Sequence, residues 1–269
     1  MNKLKIAALL ALAGTGIFTQ TAQAVTYTQG DVLIGFRSSN SSITTDYLID
    51  VGQSLFSRAA ANGGSITIGN FGTDLSSFDP TWFTDGTTLW GVGGANLTGD
   101  NSRTLYAGYA QNSLNPTPGT SYNGQTNSAS TTQQGRYNTV GTLFQQGTAA
   151  TGSPVGDDGS FGYTGLQVQL QNSGNASSWA SQVNFSTGVG FQHFVGFEGG
   201  VGAGSLGDGI DYYKINPSPS TPSLQGTFSV DSTGTITFST PVPEPSTLAA
   251  LIGGAGFLGL IRRRRTALA

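Results

Sequence analysis

The sequence predicts an all-β protein: an antiparallel β-sandwich, jelly-roll-like in its narrower form, with a few short helices. Three observations carry this expectation. Thr, Val, Ile, Phe and Tyr fall in short runs separated by Gly, Asn, Ser and Asp, which is how strands and turns are punctuated. Charged residues make up only 9% of the chain, too few to clothe surface helices. Two stretches show strand periodicity openly: Leu166–Gln171 alternates apolar and amide side chains, and Thr227–Val230 mirrors Thr235–Phe238 across the turn residues Asp231–Gly234.

The remaining elements follow in order. Asp31–Arg37 reads as a first strand with Val32, Ile34 and Phe36 on one face, and Asp46–Val51 as a second. Leu55, Phe56, Ala59 and Ala60 recur at helical spacing and stop at Asn62-Gly63-Gly64, predicting a short amphipathic helix. Ser65–Ile68 returns to alternation. A helical fragment using Leu75 and Phe78 follows Thr73, and Asp79-Pro80 opens a further turn carrying Trp82 and Phe83. Asp85-Gly86 turns the chain into a strand over 88–92, and Thr104–Tyr109 reads as another.

Gln111–Gln134 is rich in Asn, Gln, Ser, Thr, Gly and Pro, so it is expected to be a long polar loop. Tyr137–Phe144 reads as a strand and Gly147–Ser160 as a loop. The alternation of 166–171 predicts a strand with one buried and one wet face, and Val183, Phe185, Phe191, His193, Val195 and Phe197 continue that period. The count comes to about ten to twelve strands in one domain.

The first residues read as an export signal. Lys3 and Lys5 precede an apolar run over 6–18, and Ala22-Gln23-Ala24 fits the small-x-small cleavage pattern, so residues 1–24 are expected to be a signal peptide that uses the Sec machinery. Residues 25–240 then form the β-rich extracellular domain. Between Val25 and Val242 there are five basic and thirteen acidic side chains, a net charge of −8 against −3 for the whole chain. Without clustered Lys or Arg in that body, a nucleic-acid partner is excluded. No cysteine is present, so disulfides and thiolate chemistry are excluded as well.

Several motifs compete with chance. Gly202-Ala203-Gly204-Ser205-Leu206-Gly207 matches the dinucleotide fingerprint, but so does Gly254–Gly259 inside the apolar run near the end, and 41 glycines make such matches expected. Ser205 imitates a nucleophile elbow, yet the only histidine, His193, precedes it, and the surrounding pattern lacks the strand and helix that expose such a serine. Glu198 is the only glutamate of the body and has no nameable partner for a two-carboxylate glycosidase. No cofactor is expected. The acids with the chemistry for a structural Ca²⁺ are Asp157 and Asp158, and the better placed pair Asp208 and Asp211, each pair in a Gly-rich loop. Trp82, Trp90 and Trp179 would suit sugar stacking if exposed, although aromatics in a β domain are more often core.

The most specific stretch comes last. Pro243-Glu244-Pro245-Ser246 precedes fourteen uncharged residues, Leu248–Ile261, and then Arg262-Arg263-Arg264-Arg265. As a helix the apolar run spans ~21 Å, short of the ~30 Å hydrocarbon core, and the arginines would hold its far end on the cytoplasmic side. The two prolines keep Glu244 in an extended, accessible segment.

This three-part order over 241–265 resembles the PEP-CTERM sorting signal of Gram-negative bacteria. The resemblance implies recognition by a membrane-embedded exosortase, transient anchoring in the inner membrane, and a final place at the cell surface or in an extracellular matrix with exopolysaccharide as partner. The first expectation is therefore a non-enzymatic, surface-displayed or matrix-associated structural or interaction protein. A secreted carbohydrate-binding, lectin-like module is the alternative, and a polysaccharide hydrolase stands third.

Overall fold

A computed structural model describes residues 27–95, 97, 100, 103–111, 127–146, 167–183, 197–202, 209–216 and 221–241. Ten strands lie among them: β1 (Val32–Ser38), β2 (Thr45–Gly52), β3 (Ser65–Asn70), β4 (Thr88–Ala95), β5 (Leu105–Ala110), β6 (Gln167–Asn172), β7 (Glu198–Gly200), β8 (Gly209–Ile215), β9 (Ser223–Val230) and β10 (Thr235–Ser239). Four helices accompany them: α1 (Leu55–Ala61), α2 (Gly72–Phe78), α3 (Asn127–Gln146) and α4 (Trp179–Val183).

All pairings are antiparallel, as expected for the class, and they join the strands into one sheet of order β3-β10-β9-β8-β5-β4-β1-β2-β6. β4 runs along β1 on one side; its other side is shared between β5 and the short β7. The sheet curls into a half-barrel, and both of its faces are covered, which makes the layering sandwich-like.

The two covers differ. On the inner face Val32, Ile34 and Phe36 of β1 share a core with Ile66 and Ile68 of β3 and Ile236 and Phe238 of β10, although those strands stand far apart in the sheet order. Helix α1 fills the curl: the ring of Phe56 lies 5.6 Å from Tyr106, 6.1 Å from Tyr212 and 5.7 Å from Phe238, centroid to centroid. The outer face packs Leu33, Leu48, Leu105 and Ile215 against Tyr137, Val140 and Phe144 of α3 and Trp179 and Val183 of α4.

The expected strands over 31–37, 46–51, 65–68, 88–92 and 104–109 are present, as are the helices on Leu55 and Leu75. The hairpin is present too. Oδ1 of Asp231 accepts from the backbone N–H groups of Thr233 and Thr235 and from the Thr233 hydroxyl, so one side chain holds the turn.

Four expectations are corrected. The polar loop over 111–134 and the strand over 137–144 meet in α3, a single helix that begins at Asn127. Its buried side chains Gln133, Tyr137, Val140 and Phe144 recur four, three and four residues apart, one helical stripe in a stretch too poor in apolar residues to announce itself. Val183 closes α4 and is not in a strand. The amide face of β6 is not wet: Gln169 and Gln171 are 2% exposed, because α3 and α4 cover it. Finally, Gly209–Asp211 is not a loop but the start of β8, in which Ile210 and Tyr212 fall on one face and Tyr213 and Ile215 on the other. With both faces buried, that strand shows no simple alternation. The loop over 147–160, Phe185, Phe191, His193 and Val195 lie outside the described residues.

Close approach of the outer helices depends on two strand glycines. A Cβ on Gly35 would overlap the indole of Trp179, and one on Gly93 would overlap the ring of Tyr137. Gly35→Ala and Gly93→Ala should each cost about 1–3 kcal/mol in denaturant unfolding. Gly135→Ala, at an exposed position of α3 with nothing near the added methyl, should gain about 0.5–1 kcal/mol. Equal effects at all three positions would contradict the docking.

Candidate functional site

Two places on the molecule bear on function: a buried polar cluster under α4, and the end of β10, where the chain leaves the sheet.

Arg37 near the end of β1 and Glu198 at the start of β7 face each other across β4. Nε of Arg37 donates to Oε2 of Glu198 at 2.8 Å, and a second guanidinium nitrogen lies 2.7 Å from the same oxygen. The other carboxylate oxygen accepts from Nε1 of Trp179 at 3.0 Å. The sole glutamate of the body thus has a partner set that no sequence spacing revealed, because 161 residues separate it from Arg37.

Asp46 on β2 joins this cluster, its Oδ2 accepting from the Ala180 backbone N–H at 2.8 Å. Gln171 of β6 accepts from the Trp179 N–H and donates to the Val140 carbonyl, tying α4 and α3 to the same strand. Burial pushes the Asp46 carboxyl up to about 7; the charge of Glu198 adds to the rise, and the Ala180 N–H and Arg37 work against it. A second acidic pair, Asp31 and Asp50, is raised for the same first reason, desolvation. The Thr28 N–H at 2.6 Å and the Gly52 N–H at 2.9 Å cap these two carboxyls.

The other candidate residues fall as follows. Asp211 is fully buried within β8, and its Oδ1 accepts from Nε2 of Gln111 at 2.7 Å and the Thr227 hydroxyl at 2.9 Å. Asp157, Asp158 and Asp208 lie outside the described residues, and among the described residues no three His, Cys, Asp or Glu side chains gather as a metal would require. Trp82, Trp90 and Trp179 are 4%, 0% and 0% exposed, so none offers a ring face for stacking.

At the end of β10, Ser239 pairs with Ser65 of the edge strand β3, their hydroxyls 3.0 Å apart. One residue on, the N–H of Thr240 donates to the Gly64 carbonyl at 2.7 Å, and its hydroxyl reaches the same oxygen at 3.1 Å. Pro241 is exposed. The sheet therefore holds the chain up to Thr240, and the run Pro243–Ser246 begins three residues later.

Residues 241–265 match the family model of the PEP-CTERM protein-sorting motif. The chain thus carries, directly after Thr240, the motif that marks substrates of exosortase, a membrane enzyme; the motif implies export and a membrane anchor before cleavage. No curated protein and no solved structure matches the chain. Among the described residues no helix is long and apolar enough to cross a membrane. The signal-cleavage residues Ala22 and Ala24, and Pro243, Glu244, Pro245, Ser246 and Arg262 to Arg265, all lie outside them.

Two outcomes follow from the buried cluster. Removing one partner of the ion pair, as in Glu198→Ala, strands the Arg37 charge and should cost about 3–5 kcal/mol in chemical denaturation. Asp46 has a folded pKa above its ordinary 3.8, so the folded state holds a proton that the unfolded state releases. Its contribution to stability is full below about pH 4 and is lost as pH rises through about 7. The melting temperature should fall across that window, and Asp46→Asn should flatten the fall; a melting temperature that rises from pH 5 to pH 8 would contradict the assignment.

Proposed function

We propose that the protein is a non-enzymatic structural or interaction protein of the cell surface or extracellular matrix, delivered there through an exosortase-type step. The observation that carries this reading is the junction at Thr240, where the folded sheet ends and the sorting motif starts with no intervening linker. Seven residues, Pro241–Thr247, separate that anchor from the apolar run, a reach of at most about 23–25 Å. Before processing, the domain would ride close against the membrane with Glu244 in the gap between them; afterwards it would be free to join the surface or matrix.

The buried acids support a non-enzymatic body. Glu198 serves Arg37 and Trp179, Asp211 serves Gln111 and Thr227, and Asp79 accepts from the hydroxyls of Ser38, Thr81 and Thr88. Each holds strands or turns together. The low charge and hydroxyl-rich surface suit lasting contact with a hydrated polymer better than turnover of one.

The test is mass spectrometry of the mature protein's final residues in cells with and without the host's exosortase. The chain should end near Glu244 in the first and retain Leu248–Arg265 in the second, and Glu244→Ala should mimic loss of the enzyme. An intact tail in both strains would replace the reading with a plain membrane anchor.

A further inference from the structure

An open groove of about 570 Å³ lies between the outer side of α2 and the β9–β10 turn, lined by Asn70, Thr73, Ser76, Ser77, Trp82 and Ser232, among others. Its size falls in the range of small-ligand sites. Its chemistry is narrow: hydroxyls, one amide and one indole, with no charged side chain in the lining. The acids nearby are occupied elsewhere. Asp74 accepts from the Tyr47 hydroxyl, and Oδ1 of Asp231 holds the hairpin turn.

The hydrogen-bonding groups of the lining divide into two sets. Asn70 donates to the hydroxyls of Thr233 and Thr235, and the Ser77 hydroxyl donates to the Thr73 carbonyl, so these shape the walls. The hydroxyls of Thr73, Ser76 and Ser232 and the indole N–H of Trp82 have no protein partner among the described residues. Trp82 is the telling member. It is 96% buried and packs edge-on to Phe83 at 5.1 Å, and its one polar atom, without a protein partner, is still open to solvent in the groove it lines.

The second groove, about 300 Å³ between α3 and the β6–α4 turn, lacks this character. The Asn138 amide oxygen accepts from the Tyr27 hydroxyl, and the hydroxyls of Thr139 and Thr142 bond back to their own helix.

We infer that the α2/hairpin groove binds a neutral saccharide, its ring hydroxyls bridging Thr73, Ser76 and Ser232 and one of them accepting from Trp82 Nε1. A polyhydroxyl ligand is the class that can answer several neutral donors and acceptors at once; an anion or a cation would leave its charge unpaired there. The groove holds no carboxyl group to protonate a glycosidic oxygen, so it binds without cleaving. Recognition differs from aromatic stacking, since Trp82, 4% exposed, has no free ring face. The inference stands apart from the sorting motif, and failure of one leaves the other intact.

The test uses the exported protein purified from the producing cells and saturation-transfer NMR. The probes are neutral trisaccharides of glucose, galactose, mannose and N-acetylglucosamine, with a uronic-acid trisaccharide as the charged control. At least one neutral probe should show saturable transfer and the uronic acid none. Ser76→Arg, at an exposed helix position that fills the groove, should abolish the signal without altering the melting curve. Trp82→Phe keeps an aromatic ring in the core and removes the N–H, and should weaken binding about fivefold. Silence with every neutral probe, preference for the uronic acid, or binding untouched by Ser76→Arg would each overturn the assignment; the last would place the saccharide elsewhere on the surface.

Discussion

The indole of Trp179 is the contact on which the outer layer of this molecule depends. It lies flat against Gly35, where a side chain would displace it, and packs on Phe197 at 5.6 Å; its N–H reaches Glu198, which is itself held by Arg37. Through its backbone N–H it also takes Gln171 of β6. One residue therefore ties β1, β6 and β7 to a five-residue helix that could not persist alone. Apolar area supplies the attraction, and the glycine supplies the room for it to act.

The same layer explains how a chain with so few charges buries polar groups safely. Gln171, Asp46 and Glu198 lie under α3 and α4, and each meets a donor from those helices or their flanks. Covering the sheet thus satisfies the helix ends and the strand side chains together, whereas either part without the other would strand polar atoms away from water. Acidic groups raised by burial then make the fold better suited to mildly acid surroundings than to alkaline ones.

The sorting motif and the proposed saccharide groove occupy nearby but separate parts of the structure. The chain leaves the sheet at Thr240, beside the edge strand β3, while the saccharide groove lies toward the other end of β3 and β10, at Asn70 and the hairpin turn. Processing of the tail would leave that groove untouched. A domain released from the membrane would keep that groove, in keeping with the role proposed for it.

Much of this was legible in the order of residues. The antiparallel β class, the strands from Val32 to Tyr109, both short inner helices, the Asp231 hairpin and the sorting motif all rest on local spacing, which neighbours along the chain set. Tertiary packing decided what local spacing cannot express. Gln169 and Gln171 look like a wet face until α3 and α4 cover them; Gly209–Asp211 reads as a loop from its Gly and Asp residues, yet opens a strand buried on both faces; Asn127–Gln146 lacks the apolar content to declare a helix and gains it from the sheet beneath. Glu198 finds Arg37, and Trp82 comes to line a groove, only when segments more than a hundred residues apart are brought together. Those contacts depend on the curl of one continuous sheet, a property of the whole chain and of no window within it.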